Sequence, residues 1–497
     1  MTERFTDRRT LLISLGINLC VGLAIALLIA PTTHLGDRTD GDPALAERVR
    51  KTLGSGAGYG SVAAAEITTD SVSHAGLGPE GEVPNADSSF ELGSITKTFT
   101  ASLLALAIER DEVTLDDPVA DHLPELAASE AGTVTLRELA THTSGIPSIP
   151  PAMATRWSFF GPGTFTAVGG NPYRGVATAT LLQWVAQTPL DGRGEDRYSN
   201  AGVAVLGHAL AAAAGTDYST LLQDRLLDPL GMESTVLLGD DSAEPEQFSG
   251  SHMTNGIRAV PWSGEAFAPA GTSTRTTAAD MSRYAQALLD GTAPGAAAME
   301  PIAEVVSDGV PTPGAMLWQL EDVDGTSITW HNGGTAGSSS MLAIDREAGR
   351  AVLLLSNHYN DESGATTDAG ILLVTDSEAS TDSPPLTLTS FVPVLIGLFF
   401  GLSLPIAAFR RKSPTRLQVA DGVVWGLAGV LVILIGGPWA NIPPALLAVP
   451  IALLLGASSP AVRRLLTDDT TKTGWWSIPS LLIGAAVLAY CLACVAR

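Results

Sequence analysis

The sequence predicts a mixed α/β (α+β) fold for a polar domain that lies between membrane-spanning apolar segments. Three observations predict it. Short apolar runs bounded by turn residues indicate strands at residues 61–67, 338–344 and 351–356. Apolar residues at helical spacing begin at Ser94, and Asp111 closes that pattern. Long uncharged apolar runs occupy both ends of the chain.

The charge of the chain is strongly acidic and unevenly spread. Its 497 residues suffice for two to four domains, and the formal net charge is -24. Residues 1–10 carry a net charge of +1 and residues 391–497 carry +5, so residues 11–390 carry -30. Phosphate contacts need Lys and Arg, and we therefore expect no nucleic-acid partner.

The N-terminal apolar run, residues 11–30, carries no charge and is long enough to cross a bilayer at 1.5 Å per residue. Arg4, Arg8 and Arg9 precede it, which places the N-terminus in the cytoplasm. Residues 1–30 are therefore predicted to be a membrane anchor or a signal sequence. The length of the run, and its end at Leu28-Ile29-Ala30-Pro31, which fits a cleavage site poorly, favour the uncleaved anchor.

Four further apolar runs predict a C-terminal membrane domain of about four helices, residues 388–497. They lie near residues 388–409, 423–435, 442–455 and 478–496. Basic residues cluster at 410–416, between the first and second runs, and at 463–472, between the third and fourth. Both loops are therefore predicted to be cytoplasmic.

This alternation predicts a multi-pass protein of the cell membrane with five spans. The domain at residues 31–375 would lie outside the cytoplasm. A stretch rich in Ser, Thr and Asp, residues 376–387, is predicted to be the linker to the membrane domain. Residues 365–374 have the composition of a last helix of the outer domain.

Ser94 and Lys97 form the first chemical motif. Ser94 stands at the start of the predicted helix, and Lys97 follows three residues later on the same face. A serine hydroxyl becomes a good nucleophile when a base removes its proton, and a buried lysine of lowered pKa can be that base. The alternative is that Ser94 is only the N-cap of the helix and Lys97 only a surface charge. A capping box would support this alternative, but the third residue after Ser94 is Lys rather than Glu or Gln.

Two more motifs follow at separations of about 100 and 130 residues. Tyr198-Ser199-Asn200 opens a small-residue helix, and His331-Asn332-Gly333-Gly334 follows a strand predicted to end at Trp330. Ser-x-x-Lys, Tyr-x-Asn and His-x-Gly in this order resemble the serine β-lactamase and penicillin-binding-protein superfamily, in its class C-like branch. Residues 139–147, 229–232 and 269–274 also match that branch, and the resemblance covers about residues 45–375.

The resemblance implies a β-lactamase/transpeptidase-like fold, in which helices flank an antiparallel sheet and a helical subdomain is inserted at about residues 100–200. It implies that Ser94 is the acylated nucleophile and Lys97 its proton partner. Tyr198 would be a second general base, which acts on Ser94 and later on the attacking water.

The same resemblance implies the substrate contacts. Asn200 would bind the substrate amide or support Lys97. Gly333 and Gly334 would line the substrate, and the backbone N–H groups of Ser94 and Gly334 would form the oxyanion hole. His331 stands where many relatives have a lysine, and histidine is a weaker, pH-dependent cation. β-Lactam hydrolysis is for this reason not the first expectation.

The predicted function is a membrane-anchored serine hydrolase that acts on an ester, amide or D-Ala-type peptide from the cell envelope. A penicillin-binding sensor or a true β-lactamase is the alternative. The short cytoplasmic loops leave no room for an output domain, and the intact Tyr198 favours turnover. His142 is predicted to be structural. No metal or other cofactor is predicted, because the histidines lack metal-ligand spacing. The expected partners are the substrate and the bilayer, and the oligomeric state stays open.

Overall fold

The computed structural model describes most of the chain, in two compact units. The described residues are 16–29, 31, 33–150, 170–307, 309–360, 364–381, 386–401, 416–453, 455 and 478–495. One unit comprises His34–Met253 and Ala259–Pro384. The other comprises Met1–Thr33, Thr254–Arg258 and Pro385–Arg497. The domain and linker boundaries drawn from the sequence stay predictions.

The larger unit is built on twelve described strands. They are β1 (Arg38–Gly41), β2 (Val62–Thr68), β3 (Val72–Gly78), β4 (Ser89–Glu91), β5 (Val236–Leu237), β6 (Thr274–Thr277), β7 (Pro301–Ser307), β8 (Val310–Ala315), β9 (Gln319–Val323), β10 (Thr326–Gly334), β11 (Ser339–Asp345) and β12 (Arg350–Ser356). Seven form an antiparallel sheet in the order β1-β3-β2-β12-β11-β10-β9. A small sheet, β4-β6-β5, and the hairpin β7-β8 complete the described strands.

Helices of this unit cover both faces of the large sheet. They are Pro43–Thr52, Thr96–Glu109, Leu136–Ala140, Thr178–Ala186, Asn200–Ala213, Tyr218–Leu222, Ala278–Leu289 and Ala365–Val374. The first and the last pack on one face, and Thr96–Glu109 and Ala278–Leu289 contribute to the core on the other. This arrangement confirms the predicted antiparallel sheet with flanking helices.

The alternation of side chains along β2 shows how the sheet divides the core. Ala63, Ala65 and Ile67 join the cluster that contains the Thr96–Glu109 helix. Val62 and Ala64 join the cluster under the Pro43–Thr52 helix. Because successive side chains of a strand point to opposite faces, a strand covered on both sides is apolar throughout.

The backbone around Ser94 turns sharply between a strand and a helix. Strand β4 ends at Glu91, and Gly93–Ile95 form a 3₁₀ turn that leads directly into the Thr96–Glu109 helix. The α-helix therefore begins two residues after the predicted start at Ser94. Gly93 has a φ of 61°, in the left-handed region that favours glycine.

Strand β10 is longer than the sequence predicts, because it does not end at Trp330. It continues through His331 to Gly334, which pairs with Ser339 of β11. Glycine is a poor strand residue, so the two consecutive glycines predict a turn after Trp330. Here the absent side chains allow the strand to run close to another backbone, which is a recognised use of glycine in strands.

The smaller unit contains the apolar helices Gly16–Leu28, Val392–Gly401, Arg416–Gly436 and Ile478–Val495. Among the described residues, Leu417–Gly436 and Ile478–Val495 are long and apolar enough to cross a membrane. The run predicted at residues 423–435 extends to Arg416 because a helix tolerates polar residues in its first turns. The run predicted at 442–455 begins instead with a 3₁₀ turn, Pro444–Leu447.

Helix contacts in this unit are close. A Cβ on Gly397 would lie 2.5 Å from the carbonyl oxygen of Gly429, so these two helices approach at small residues. The indole of Trp425 donates a 3.1 Å hydrogen bond to Ser480 Oγ. The first part of the predicted N-terminal span and the basic loops at 410–415 and 463–472 lie outside the described residues.

Glu91 is a buried carboxylate at the end of β4, three residues before Ser94. Its side chain is 1% exposed. It accepts hydrogen bonds from four groups: Ser251 Oγ, the Trp262 N–H at 2.6 Å, Thr335 Oγ1 at 3.1 Å and Ser338 Oγ at 3.3 Å. The buried Arg275 guanidinium lies 3.9 Å from it and is also bound by Glu244. This hub, centred on Glu91, joins the connection between β5 and β6 and the connection between β10 and β11 to the turn that carries Ser94.

We expect Glu91→Gln to lower the free energy of unfolding by about 3 kcal/mol, because a buried acceptor of four hydrogen bonds is lost and Arg275 keeps only Glu244 as a carboxylate partner. The amide would also point a donor at groups that now donate. Denaturant unfolding of the full chain in detergent measures the effect. Glu80→Gln is the matched control, since it breaks an exposed pair with Arg38 and should cost under about 1 kcal/mol. Equal losses in the two variants would contradict this account of Glu91.

Candidate active site

The Ser94 hydroxyl lies at the meeting point of two motifs. Its Oγ accepts a 2.9 Å hydrogen bond from Lys97 Nζ and a 2.7 Å hydrogen bond from the Tyr198 hydroxyl. The structure therefore brings together three residues that lie up to 104 positions apart in the sequence. Either neighbour is within reach to take the serine proton.

Lys97 is held in an apolar and uncharged environment. Its side chain is fully buried, and Nζ also donates a 2.6 Å hydrogen bond to the carbonyl oxygen of Ala270. Among the described residues no carboxylate pairs with it. Burial disfavours the charged form and lowers the pKa of Lys97 well below its ordinary value. A neutral lysine amine is a base, so the site can activate the serine.

Tyr198 lies between the lysine and a histidine. Lys97 Nζ is 4.9 Å from the centre of the Tyr198 ring, and the His142 ring centre is 4.7 Å from it. The side chain is 44% exposed, whereas its two neighbours are buried. The hydroxyl of Tyr198 is thus at the open side of the site, where a substrate or water would approach.

The backbone of the Ser94 turn is pressed against strand β10. A Cβ on Gly333 would lie 2.2 Å from the Leu92 carbonyl oxygen and 3.0 Å from the Ser94 nitrogen. A Cβ on Gly93 would lie 2.8 Å from the Gly334 nitrogen. Only glycines permit this approach, which brings the backbone nitrogens of Ser94 and Gly334 to the same edge of the site.

The packing behind the turn is equally tight. Gly271 has a φ of 105°, and a Cβ there would lie 2.1 Å from the Gly93 carbonyl oxygen. Gly271 follows Ala270, whose carbonyl accepts from Lys97. The 3₁₀ turn is therefore fixed from one side by β10 and from the other by the Ala268–Ala270 turn.

His331 is buried beside Lys97 and lacks a charge at neutral pH. Its side chain is 1% exposed, and Nδ1 lies 2.5 Å from the Asn332 carbonyl oxygen. Burial is the main cause that lowers the pKa of His331 to about 3. Its Nε2 has no hydrogen-bond partner among the described residues. The third motif thus presents a neutral imidazole where a lysine would present a cation.

Asn200 begins the helix that follows Tyr198, and it is set slightly apart from the three central residues. Its Nδ2 is 3.4 Å from the Tyr173 hydroxyl, and its buried Oδ1 has no partner in the described part of the chain. The structure shows no hydrogen bond from Asn200 to Lys97. Of the two predicted roles, a contact with the substrate amide therefore fits better than support of the lysine.

Two buried residues of the site were not predicted to take part in it. The sequence carries no signal for Glu91, because a single carboxylate before a motif predicts no role. His142 was predicted to be structural, and the structure places it against Tyr198. The Thr-His-Thr-Ser-Gly stretch that contains His142 was the available signal for this neighbourhood. The assignments of catalytic roles to the predicted residues stay predictions.

Comparison with known proteins gives a consistent result. The model of the β-lactamase family matches residues 45–376. A curated relative, penicillin-binding protein 4 of Amycolatopsis lactamdurans, is 30% identical over 302 residues, which are 56% of this chain and 74% of that protein. Alignments to further relatives, among them the D-alanyl-D-alanine-carboxypeptidase/endopeptidase AmpH of Escherichia coli, cover less than half of those proteins.

Two solved structures share the fold. A D-stereospecific amidohydrolase from Streptomyces sp. has a TM-score of 0.55 and 23% identity, with 66% of this chain and 98% of that chain covered. A class C β-lactamase from Rhodobacter sphaeroides has a TM-score of 0.52 and 21% identity, with 64% and 94% covered. At these identities the likeness establishes the fold, and it agrees with the class C-like resemblance of the motifs.

Replacement of Gly333 by Ala should disable the site without a change in its polar groups. The new Cβ has to displace either the Leu92 carbonyl or strand β10, and this separates the two backbone nitrogens at the site edge. Loss of one oxyanion donor costs about 10²–10³-fold in rate, and we expect a fall of this size in the labelling of Ser94 by a fluorophosphonate. Gly239→Ala is the control, since a Cβ there meets its nearest neighbour at 3.5 Å. Normal labelling of Gly333→Ala would contradict the close approach.

The buried histidines should make stability depend on pH in the acid range. His142 and His331 have pKa values lowered from 6.5 to about 3, chiefly by burial. Below pH 6.5 the unfolded chain binds a proton at each histidine that the folded chain does not. Their stabilising contribution is therefore complete above pH 6.5 and is lost as the pH falls towards 3, by about 1.4 kcal/mol per pH unit for each group.

Unfolding of wild type and His331→Asn between pH 7 and pH 4 measures this contribution. The slope of unfolding free energy against pH should be shallower in the variant by about 1.4 kcal/mol per unit. His122→Asn is the control, because His122 lies beside Asp117 in another loop and its side chain is partly exposed. Identical slopes in wild type and His331→Asn would show that His331 is not buried neutral.

Proposed function

Because this chain belongs to the β-lactamase family of serine hydrolases, we propose that it hydrolyses or transfers an ester, amide or D-Ala-type peptide bond through an acyl-enzyme on Ser94. One observation carries the proposal: Lys97 Nζ and the Tyr198 hydroxyl both reach Ser94 Oγ within hydrogen-bond distance. This arrangement supplies a nucleophile and two groups that can move its proton.

In the proposed acylation step, neutral Lys97 takes the proton of Ser94 as Oγ attacks the carbonyl carbon of the substrate. The lowered pKa of Lys97 keeps its amine available as a base. The backbone N–H groups of Ser94 and Gly334 stabilise the oxyanion of the tetrahedral intermediate. The carbonyl re-forms as the bond to the alcohol or amine breaks, and the leaving group departs with the proton.

In the proposed deacylation step, Tyr198 relays a proton: its oxygen accepts a proton from the attacking water as its own hydroxyl proton passes to Ser94 Oγ, to which it is already hydrogen-bonded. The exposure of Tyr198 supports this role, since water reaches the phenol more readily than the buried lysine. Water oxygen bonds to the acyl carbon, and the proton passes back to Ser94 Oγ when the ester bond breaks. The products are a carboxylic acid and free enzyme, so no cofactor is needed.

The neutral state of His331 supports a substrate without a free carboxylate at the third motif. A cationic lysine in this position would attract a carboxylate, and a buried imidazole whose pKa is about 3 does not at neutral pH. The charge of -30 on residues 11–390 disfavours anionic substrates further. We therefore place esters and amides ahead of β-lactams and D-Ala-D-Ala termini.

A penicillin-binding or D-alanyl-D-alanine peptidase activity is the second candidate. Its support is the set of relatives whose names carry those activities. The Asn200 amide, whose Oδ1 has no partner among the described residues, would serve either class of substrate. The response of the site to a β-lactam therefore separates the two candidates.

We further propose that the protein is anchored in the cell membrane with its hydrolase unit outside the cytoplasm. Two apolar helices of sufficient length support the anchoring. The basic clusters of the sequence support the orientation. The substrate would then come from the cell envelope, and the bilayer would be a permanent partner of the chain.

A pair of covalent probes tests the proposed chemistry on the full chain in detergent. A fluorescent fluorophosphonate should label wild type and should not label Ser94→Ala. Turnover of a p-nitrophenyl ester should fall by about 10⁴-fold in the variant. Ser219→Ala, an exposed serine of the Tyr218–Leu222 helix, is the control and should label normally.

A fluorescent penicillin is the second probe. Labelling by the fluorophosphonate alone would support an esterase or amidase. A penicillin adduct that persists would support the penicillin-binding candidate, and one that forms and turns over would support a β-lactamase. Failure of both probes with folded protein would overturn the assignment of Ser94 as a nucleophile.

A further inference from the structure

The segment that carries Tyr198 is bound on both sides by one residue, His142. The His142 carbonyl oxygen accepts a 2.8 Å hydrogen bond from the Arg197 N–H, directly before Tyr198. The His142 ring nitrogen Nδ1 accepts a 3.2 Å hydrogen bond from the Ser199 N–H, directly after it. The backbone on either side of Tyr198 is thus fixed by the backbone and the side chain of the same histidine.

The conformation of His142 is one that a histidine rarely adopts. Its φ is 57°, in the left-handed region, where non-glycine residues carry a conformational cost. The residue is 5% exposed, and its ring packs against the Tyr198 ring with centres 4.7 Å apart and planes inclined by 40°. Such backbone strain persists only where the surrounding structure holds it, and it is concentrated at functional sites.

The hydrogen bond from Ser199 also fixes the protonation of the ring. Because Nδ1 accepts from an N–H, the neutral ring carries its proton on Nε2. Burial is the main cause that lowers the pKa of His142 to about 3. Protonation of Nδ1 would set two N–H groups against each other and release the segment. His142 is therefore a neutral acceptor at the pH where the enzyme works.

We propose that His142 is the positioning residue of Tyr198: it holds the phenol so that its hydroxyl reaches Ser94 Oγ, and it acts on the reaction only through Tyr198. The proposal rests on the proposed function, in which Tyr198 moves protons to and from Ser94. His142 itself makes no hydrogen bond to Ser94 in the described part of the chain, so we do not call it catalytic.

Three substitutions separate the contributions of His142. His142→Asn keeps a residue that tolerates the left-handed region and a side-chain oxygen that can accept from the Ser199 N–H. His142→Phe keeps a ring against Tyr198 and removes the acceptor. His142→Ala removes both. A displacement of about 1 Å can cost 10²-fold in rate, so we expect falls of about 10–100-fold in kcat for Ala and Phe. Asn should fall less than 10-fold, and KM should change little in all three.

A double-mutant cycle with Tyr198→Phe tests whether His142 acts through the tyrosine. The readouts are the rate of fluorophosphonate labelling of Ser94 and the kcat of ester hydrolysis, on the full chain in detergent. Once the hydroxyl of Tyr198 is removed, its position no longer matters. We therefore expect His142→Ala to change either rate by less than 2-fold in the Tyr198→Phe background.

His208→Asn is the matched control for a purely structural effect. His208 is a half-buried histidine in the Asn200–Ala213 helix, and its ring is 2.9 Å from the Ala266 carbonyl oxygen. This substitution should lower the melting temperature, and its effect on rate should be the same with and without Tyr198→Phe. If His142→Ala does not fold, the cycle is run with His142→Asn and His142→Phe.

The outcomes distinguish failure of the positioning role of His142 from failure of the proposed function. If wild type labels at Ser94, Tyr198→Phe slows labelling and His142→Ala adds nothing further, the positioning role is supported. If His142→Ala lowers the rate by the same factor in the Tyr198→Phe background as in wild type, His142 does not act through Tyr198 and the inference is overturned. If Ser94 is not labelled even in wild type, or Tyr198→Phe reacts as fast as wild type, the proposed function itself fails.

Discussion

The site is organised around one constraint: the Lys97 amine is buried, and no carboxylate pairs with it in the described part of the chain. An isolated ammonium in an apolar interior is costly, and the amine is the form that such a place favours. The neutral group still needs partners, and it finds them in Ser94 Oγ, the Ala270 carbonyl and the face of the Tyr198 ring. Three distant parts of the chain must therefore meet at one nitrogen atom.

The Glu91 hub solves the opposite problem a few residues away. There Arg275 and four hydrogen-bond donors surround the carboxylate. The two buried ionisable groups thus differ in what surrounds them rather than in depth. Among the described residues Lys97 has no counter-ion, which favours its neutral amine, whereas Glu91 lies beside a cation and four donors.

The sequence was sufficient for the parts of the fold that depend on local pattern. Strands β2, β11 and β12 and the Ala365–Val374 helix lie within about one residue of the predicted bounds, because strand and helix periodicities are properties of neighbouring residues. The three motifs also identified Ser94, Lys97 and Tyr198, which the structure brings into contact. A resemblance was needed for this, since spacing along the chain does not give distance in space.

The differences between the predicted and the observed elements also have physical causes. The sequence predicts an end for strand β10 that is too early. Its two glycines allow a close backbone contact with Leu92 and Ser94, and no local sequence pattern reveals such a contact. The sequence predicts a start for the Arg416–Gly436 helix that is too late, because the polar residues in its first turns are typical of a loop. The roles of Glu91 and His142 depend on residues more than 50 positions away, and composition carries no trace of them.

The Glu91 hub also determines when, during synthesis, the turn that carries Ser94 can be completed. Glu91 precedes Ser94 by three residues, yet its four described donors are supplied by positions 160 to 247 residues further along the chain. A nascent chain that ends in the middle of the domain already contains Ser94, Lys97 and Tyr198. Its Glu91 still lacks all four of these described donors. The turn under Ser94 is completed only when the last strands of the sheet arrive. The Glu91 hub therefore forms late in synthesis, after nearly the whole unit has been made.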